Sequence, residues 1–259
     1  MKSKIFFGGD IITDNIQPHI QCDNSLEAKY ALLPGDPGRV ERVAGHLENV
    51  KNIAHNREYK TITGEYCGVK IAVTSTGIGG PSLAIALEEL KNIGVSYFIR
   101  IGSAGSLQTD IKVGDMLIPY AAVRNDGTGD MYIKKDFPAA AHPKIYSVLV
   151  QVAVDEGYPF HQGISRSHDS FYIDDEDEVS QYWSKRGVIG ADMETAPLMT
   201  LAALRGVKAA SVLNVVNPYG GALDESINEY VDLNKETEQG ERRIVLTALK
   251  AISRIDHRK

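Results

Sequence analysis

Two glycine-rich segments of this chain each carry an arginine and lie beside an apolar run. The first is PGDPGR at 34–39, and the second is RIGSAGS at 100–106. Glycine lets the backbone approach an anion with its N–H groups turned inward, and arginine adds a planar, permanently charged fork. We therefore predict that both segments are turns and that together they bind a dianion of the size of phosphate.

A third segment, ADMET at 191–195, carries Glu194, a carboxylate that could hold a sugar hydroxyl. Each of its distinctive residues also has a simpler interpretation. Glu194 could be an acid at the start of a helix, where the helix dipole favours negative charge, and Met193 could be a core methionine.

A further glycine-rich segment, TGIGGPS at 76–82, superficially resembles a dinucleotide-binding fingerprint. Ser82 stands where the third glycine of G-x-G-x-x-G would be, and no acidic residue closes a strand about 20 residues later. Pro81 also removes an N–H group from the helix start. We therefore expect these glycines to let a ligand approach the backbone closely rather than to bind a dinucleotide.

Composition and charge indicate a protein that acts on small molecules. The 259 residues are 43% hydrophobic, enough for one sizeable core, so we expect a single domain over 1–259, with residues 1–16 as an N-terminal extension of unknown role. The 28 Lys and Arg against 34 Asp and Glu give a net charge of -6, and no basic run occurs. Binding to nucleic acid or to an anionic membrane is therefore not expected.

Cysteine usage and the N-terminus predict a cytoplasmic location. Cys22 and Cys67 lack C-x-x-C spacing, which favours buried, inert thiols in a reducing compartment over a disulfide or a zinc site. The apolar run at 5–7 is too short for a signal-peptide core, and no apolar stretch of about 18 residues follows.

Apolar, β-branched runs alternate with amphipathic helical patterns, which indicates an α/β fold with a central mixed, largely parallel sheet flanked by helices on both sides. The predicted strands are 29–33, 69–75, 97–101, 116–123 and 208–216, and the predicted helices are 81–92, 143–156, 194–205 and 239–255. Ligands of such sheets bind beyond the carboxyl ends of strands, which is where both arginine segments are expected. The segment 214–228, rich in Gly, Pro and Asn, is predicted to be an active-site loop.

Six segments together resemble the hexameric nucleoside phosphorylases in order and spacing, over roughly residues 17–255. They are PHI at 18–20, GDP at 35–37, NREY at 56–59, STGIGG at 75–80, RIGS at 100–103 and DME at 192–194. The resemblance implies the fold of that family and a pentosyltransferase, in which phosphate attacks the anomeric carbon of a nucleoside and releases ribose 1-phosphate and free base. It also implies inorganic phosphate as co-substrate and no metal or organic cofactor in the chemistry.

Matched position by position, the resemblance implies five phosphate-binding residues: Gly35, Arg39, Arg57, Arg100 and Ser103. Arg57 resembles the arginine that the family lends across a dimer interface. Three arginines would neutralise a phosphate dianion within the site. The alternative for each arginine is a surface salt bridge, most of all for Arg57, whose role depends on a neighbouring subunit.

For the ribose, the resemblance implies His19, Met193 and Glu194. Glu194 would accept hydrogen bonds from the 2′- and 3′-hydroxyls, Met193 would pack under the sugar, and His19 would reach the 5′-hydroxyl in a neighbour's site. A carboxylate near the sugar also favours developing positive charge, and Arg100 and Glu194 are the predicted catalytic residues.

The resemblance also implies a homo-hexamer, a trimer of dimers whose active sites are shared between subunits. Glu58, Ile78 and Ser82 resemble positions that hold a monovalent cation between subunits in some relatives.

The base pocket distinguishes two kinds of family member. Phe171 matches the aromatic residue that stacks on the base, with a core aromatic as the alternative. Purine-cleaving members carry an aspartic acid that protonates the leaving purine, and its position here is Asn217. An amide has no titratable proton to give, whereas uracil can leave as an anion stabilised by hydrogen-bond donors alone.

This chain differs from the familiar uridine-cleaving members at the positions of the residues that hydrogen-bond to uracil. Those members use a glutamine and an arginine, whose positions fall near Asp175 and Asp177 here. His168 and Arg166 are the nearest donors that could replace the pair. The acidic run 174–178 is most simply a solvated loop or a helix start.

The predicted function is therefore the reversible phosphorolysis of uridine, with deoxyuridine as a second candidate substrate. The alternative is a purine nucleoside phosphorylase acting on inosine, guanosine or adenosine, for which Asp224 could supply the acid. A hydrolytic nucleosidase would have no use for Arg39 and Arg100 in this arrangement, and a non-catalytic nucleoside-binding protein would bind without turnover.

Overall fold

The strands of the protein join into one mixed sheet. The computed structural model of the chain describes residues 16–221 and 235–257. Within these ranges the strands are β1 (Tyr30–Leu33), β2 (Glu48–Asn56), β3 (Tyr59–Tyr66), β4 (Val69–Thr74), β5 (Tyr97–Ser106), β6 (Met116–Asn125), β7 (Ala139–Ala140), β8 (Phe160–His168), β9 (Val188–Asp192) and β10 (Lys208–Asn217). The helices are α1 (Pro37–Ala44), α2 (Gly80–Asn92), α3 (Gly127–Tyr132), α4 (Pro143–Asp155), α5 (Glu176–Ser184), α6 (Thr195–Arg205) and α7 (Lys235–His257).

Five of these strands form a closed ring. The strand order is β10-β6-β8-β9-β5-β1-β4-β3-β2, with β7 paired to β6. Because β10 also pairs with β5, the strands β5, β10, β6, β8 and β9 form a ring. A Cβ on Gly190 of β9 would lie 2.5 Å from Leu117 Cδ1 of β6, which is not its neighbour in the ring. Leu117 therefore reaches across the ring, in a small buried cluster with Ile189, Leu213 and others.

The predicted α/β fold, with a mixed sheet and helices on both faces, is confirmed. Among the described strands five pairings are parallel and five antiparallel. One large apolar cluster includes Val40 of α1, Val148 of α4 and Leu249 of α7, and a second includes Leu87 of α2 and Leu198 of α6. The helices thus bury the apolar side chains of both faces of the sheet.

Every predicted strand and helix is present, with ends that differ by a few residues. The sequence patterns missed five strands (β2, β3, β7, β8 and β9) and three helices (α1, α3 and α5). Strand β2 is exposed along almost its whole length, so it lacks the apolar alternation that marks a strand. Helices α1 and α5 are only 8 and 9 residues long, which leaves little room for a helical period.

The first arginine segment begins with a turn, as predicted, between β1 and α1, but its residues 37–39 already form the start of α1. The Asp36 side chain accepts the Gly38 N–H at 2.7 Å and so caps α1, and Pro37 occupies the first helical position, where an N–H is not needed. The second segment was predicted to be a turn, and that prediction is wrong. Residues 100–106 continue β5, because they pair with β10 up to Gly105 and with β9 at Gly105 and Ser106.

The expectation of buried thiols holds for only one cysteine. Cys22 is buried, and burial raises the pKa of its thiol, whereas Cys67 is exposed beyond the end of β3. The exposure of Cys67 has a local cause, since Cys67 has a φ of 49° and Gly68 a φ of 74°, as in a tight turn between β3 and β4.

Over the described residues, no helix has both the length and the apolar composition needed to cross a membrane. The predicted loop 214–228 begins later than expected, since β10 runs to Asn217, and its residues 222–228 lie outside the described ranges.

Gly240 of α7 packs against β10 so closely that any side chain would collide. An added Cβ would lie 1.9 Å from Asn214 Oδ1 and 2.8 Å from the Gly114 Cα. We expect Gly240→Ala to lower the free energy of unfolding by roughly 1–3 kcal/mol, because overpacking forces neighbouring groups to move. Thermal denaturation at equal protein concentration measures it. Gly45→Ala is the control, since its Cβ would make only an ordinary 3.5 Å contact, and an equal loss in both variants would contradict the prediction.

Candidate functional site

Two glycine turns lie side by side at the carboxyl ends of β1 and β4. The Thr76 N–H donates to the Pro34 carbonyl at 2.9 Å and the Gly77 N–H to the Gly35 carbonyl at 3.0 Å, so the pairing of the two strands continues into their loops. A Cβ on Gly35 would lie 3.1 Å from the Gly77 carbonyl oxygen, and Gly77 has a φ of 68°. Glycine at both positions therefore permits a close approach of the two backbones.

Arg39 and Ser103, both predicted phosphate residues, are in direct contact. Arg39 is only 2% exposed, and its Nη2 donates to Ser103 Oγ at 3.0 Å. Its Nη1 donates to the Ile101 carbonyl at 2.9 Å, and its Nε donates to Glu241 Oε2 at 2.8 Å. Three partners from β5 and α7 thus determine the plane of this guanidinium.

Arg100 and Glu194, the predicted catalytic pair, also meet directly. Arg100 Nη2 lies 2.5 Å from Glu194 Oε2, and Arg100 Nε donates to Asp192 Oδ2 at 3.0 Å. Both members of the pair are buried. A Cβ on Gly102 would lie 2.5 Å from two atoms of the Arg100 guanidinium, so the glycine in β5 provides the space that this side chain fills. The surface salt bridge proposed as the alternative for Arg39 and Arg100 does not describe either residue.

Glu194 precedes α6 but does not cap it. Its carboxylate turns away from the helix and accepts the Gly79 N–H at 2.5 Å, which ties the loop after β4 to the start of α6. Burial raises the pKa of the Glu194 carboxyl, and the positive charge of Arg100 partly opposes that rise. Met193 is partly buried, less than a fully enclosed core methionine would be. The short connection between β9 and α6 places the Glu194 carboxylate beside Arg100.

Asp192 contacts the predicted site residue Arg100, and sequence reasoning did not single it out. Besides Arg100 it accepts hydrogen bonds from Thr195 N–H at 3.0 Å, Thr195 Oγ1 at 2.6 Å and Ser167 Oγ at 2.6 Å. The Asp-x-x-Thr pattern before a helix was the available signal, because an acid there accepts free backbone N–H groups. Asp192 therefore orients Arg100 while it anchors α6.

The predicted base-side donors lie on β8. Arg166 is 6% exposed, and its Nε donates to Asn125 Oδ1 at 3.0 Å. Among the described residues, its Nη1 is buried and has no hydrogen-bond partner. Burial lowers the pKa of the Arg166 guanidinium, against the pull of Glu176 and Asp175. Burial also lowers the pKa of His168, helped by the charge of Arg166, and His168 Nδ1 lies 2.8 Å from the Ser170 carbonyl.

Strand register brings Asn217 to the same level of the ring as Arg166. Arg166 pairs with Ala191, Ala191 pairs with Gly105, and Gly105 pairs with Asn217. A Cβ on Gly105 would lie 3.9 Å from Asn217 Cβ. Two predicted base-side residues that are 51 positions apart in sequence are therefore positioned by neighbouring strands of one ring.

The remaining base-side residues follow β8. Phe171 is 43% exposed, so it is not a core aromatic, and its ring meets Tyr172 edge-on at 5.2 Å between centroids. Helix α5 begins at Glu176, which agrees with the helix start considered for the acidic run, and Asp175 and Asp177 are exposed. Asp224 lies outside the described residues.

His19 and Arg57 lie near each other at the exposed β2–β3 hairpin. Asn56 Nδ2 donates to the His19 carbonyl at 2.8 Å, and Arg57 follows in the turn with a φ of 55°. His19 Nδ1 is 2.6 Å from Glu89 Oε1, and the imidazole is 42% exposed. The exposure of both side chains leaves them accessible to a neighbouring molecule.

The three predicted cation residues surround Gly77. A Cβ on Gly77 would lie 2.8 Å from Glu58 Cγ and 3.4 Å from Ser82 Oγ, and Ser82 Oγ donates to the Ile78 carbonyl at 3.3 Å. Within the described ranges, no group of three or more His, Cys, Asp or Glu side chains is arranged to hold a metal ion.

Comparison with known proteins gives a consistent result. Residues 29–251 match the phosphorylase superfamily. A uridine phosphorylase of Thermococcus kodakarensis is 38% identical over 89% of this chain and 92% of its own, and a guanosine phosphorylase of Halorubrum lacusprofundi is 35% identical over 91% and 99%. The crystal structure of a uridine phosphorylase from Vibrio fischeri is 41% identical, with a TM-score of 0.86 over 92% of this chain and 97% of that one.

Gly102 offers a way to move Arg100 without disturbing the core. We expect Gly102→Ala to displace the guanidinium, because the new methyl group would occupy its place, and to weaken the binding of inorganic phosphate about tenfold, as the loss of one charge-assisted hydrogen bond would. Isothermal titration calorimetry with phosphate measures this. Gly105→Ala in the same strand is the control, since its Cβ would make only a 3.9 Å contact. Equal phosphate affinity in the two variants would refute the role of Gly102.

Proposed function

Because the chain belongs to the phosphorylase superfamily, we propose that it is a uridine phosphorylase, which cleaves uridine reversibly with inorganic phosphate to uracil and ribose 1-phosphate. The observation that carries the choice of uridine is the similarity, over most of the chain, to several uridine phosphorylases. Asn217 supports the same choice, since an amide cannot protonate a leaving purine.

Phosphate would bind between the turn at Gly35 and the strand β5. The contact between Arg39 and Ser103 supports this placement, because it holds a cation and a hydroxyl donor together at the carboxyl end of the central strands. Arg100 would supply the second cation and the N–H of Gly35 a backbone donor.

Charge balance supports a contribution from a second subunit. In the described part of the chain, three arginines around the proposed site contact four carboxylates. The arginines are Arg39, Arg42 and Arg100, and the carboxylates are Asp36, Glu241, Asp192 and Glu194. A phosphate dianion placed there needs further positive charge. The exposed Arg57 would provide it in the site of a neighbouring copy, together with His19 for the 5′-hydroxyl.

Cleavage would proceed through a sugar with developing positive charge. A phosphate oxygen attacks C1′ of the ribose, the bond from C1′ to N1 of uracil breaks, and its electron pair leaves with the base. The Glu194 carboxylate would accept hydrogen bonds from the 2′- and 3′-hydroxyls and favour positive charge at C1′, with Met193 packed beneath the sugar. Arg100, 2.5 Å from Glu194, would link the phosphate to the ribose.

The leaving uracil carries negative charge on its two carbonyl oxygens. Arg166 is a cationic donor with little exposure to water, so its charge would act strongly on that anion. His168 has a pKa lowered by burial and by Arg166, and its Nδ1–H points at the Ser170 carbonyl, so its neutral imidazole would offer Nε2 as an acceptor for the N3–H of uracil. Asn217 would add an amide donor, and Phe171 would stack on the ring.

We further propose the organisation that accompanies this activity. The chain would be a single domain over 1–259 that assembles into a homo-hexamer, a trimer of dimers, in the cytoplasm. Inorganic phosphate would be the co-substrate, with no cofactor in the chemistry. A monovalent cation between subunits at Glu58, Ile78 and Ser82 also stays a prediction.

A purine nucleoside phosphorylase is the second candidate. It is favoured by the similarity to the guanosine phosphorylase. The exposed acids Asp175 and Asp177 also favour it, since the resemblance predicts a glutamine and an arginine near these positions in a uridine-cleaving enzyme.

Parallel assays of uridine, inosine and guanosine, each with and without phosphate, test the proposal. We expect phosphate-dependent loss of uridine and little loss of either purine nucleoside, because no described residue supplies the purine acid. The change in ultraviolet absorbance measures the loss of each nucleoside. Cleavage of inosine or guanosine alone would refute the uridine assignment. Cleavage that proceeds equally well without phosphate would refute a phosphorylase.

Mixed oligomers test whether sites are shared. Arg57→Ala chains mixed with Arg100→Ala chains should recover activity at about a quarter of the sites after random reassociation, because a mixed dimer regains one intact site. Steady-state rates before and after mixing measure the recovery. A mixture of Arg39→Ala and Arg100→Ala chains is the control and should recover nothing, since both residues serve the same chain's site. Absence of recovery in verified mixed oligomers would refute the shared site.

A further inference from the structure

An ion-pair network joins α7 to α1 and includes Arg39, one of the predicted phosphate residues. Glu241 of α7 is 4% exposed and contacts two arginines of α1 at once. Its Oε2 accepts hydrogen bonds from Arg39 Nε at 2.8 Å and from Arg42 Nη2 at 3.1 Å, and its Oε1 accepts one from Arg42 Nε. Neither the resemblance nor the comparisons assign a role to Glu241 or Arg42.

The network continues into the turn that carries Gly35. Arg42 Nη2 also donates to Asp36 Oδ2 at 2.9 Å, and Asp36 Oδ1 accepts the Gly38 N–H at 2.7 Å. One carboxylate of the C-terminal helix therefore braces both the Arg39 side chain and, through Arg42, the turn 34–38. The phosphate site would lose two of its supports if that carboxylate were removed.

The orientation of the Arg39 guanidinium depends on which of its nitrogens donates to Glu241. A guanidinium has one N–H on Nε and two on each Nη, in a planar fork. Because Glu241 takes the Nε–H, the two Nη groups point toward β5, where they meet Ile101 and Ser103. An Arg39 without that anchor could rotate out of the plane that faces the phosphate site.

The carboxylate also offsets the cost of burying Arg39. A buried charge that loses its partner is strongly destabilised, so Arg39 would tend to leave its position or recruit water. Burial alone would raise the pKa of Glu241, but the hydrogen bonds and charges of Arg42 and Arg39 outweigh it and hold the pKa below its ordinary value. Glu241 is therefore ionised at neutral pH.

We propose that Glu241 is a positioning residue of the phosphate site, which orients Arg39 directly and the turn 34–38 through Arg42. It touches no reacting atom and acts through those two arginines. This inference rests on the proposed function only for the identity of the anion. Its effect should fall on phosphate and not on the nucleoside.

The test compares Glu241→Gln with Glu238→Gln, an exposed acid on the same helix. Glutamine keeps the shape of Glu241 but removes its negative charge and replaces one of its two acceptor oxygens with an NH2 group, which would face an arginine N–H. We expect Glu241→Gln to raise the KM for phosphate about tenfold, with the KM for the nucleoside and the kcat at saturating phosphate within about twofold of the parent. Glu238→Gln should match the parent in all three.

Arg42→Met keeps the test decisive if Glu241→Gln fails to fold. The Arg42 side chain is 39% exposed, so its removal leaves the core intact while it breaks the link from Glu241 to Asp36. We expect a smaller rise in the KM for phosphate, about threefold. A role in stability alone would lower the melting temperature or the active fraction with no change in this KM, and an unchanged or lowered KM for phosphate in the folded variants would overturn the proposal.

Direct binding separates this inference from the proposed function. Calorimetric titration of inorganic phosphate into the full-length parent and Glu241→Gln needs no nucleoside turnover. Weaker phosphate binding by Glu241→Gln supports the positioning role even if no nucleoside is cleaved. Equal phosphate binding overturns that role even if the parent cleaves uridine.

Discussion

Arginine charge buried among carboxylates is the interaction on which the site depends. Arg39 and Arg100 are 2% and 3% exposed, and a guanidinium that far from water is stable only beside an anion with good hydrogen-bond geometry. Glu241 meets Arg39, and Asp192 and Glu194 meet Arg100. Because these carboxylates come from α7 and from the junction of β9 with α6, the site exists only when the whole sheet and both helices are assembled.

The second constraint is the ring of five strands. In the strand order β10 lies four positions from β5, but the pairing of these two strands closes the ring through β6, β8 and β9. This closure sets Arg166 and Asn217 at one level, whereas the predicted phosphate residues follow β1 or lie on α1 and β5. The two halves of the proposed substrate would therefore be held by different parts of one sheet.

Several parts of this arrangement follow from sequence patterns alone. The turn that carries Gly35 was predictable from its glycines, although helix α1, which starts at Pro37, was missed. The five predicted strands and four predicted helices were long enough for their periodicity to show. The segment 100–106 was misread because glycine indicates a turn locally, whereas here it makes room for the Arg100 guanidinium within a strand. Asp192, Glu241 and Arg42 were missed because their partners are distant in sequence.

The sequence by itself determined the chemistry: two arginines beside glycines, a carboxylate at Glu194, an amide at Asn217, and a family pattern that links them. These are properties of residue type and short spacing, which local physical chemistry specifies. Only the tertiary structure decided which carboxylate holds which arginine, that the sheet closes into a ring, and that Arg57 and His19 face outward. Those outcomes depend on contacts between residues far apart in the chain, such as Arg39 and Glu241, 202 positions apart, which no local pattern encodes.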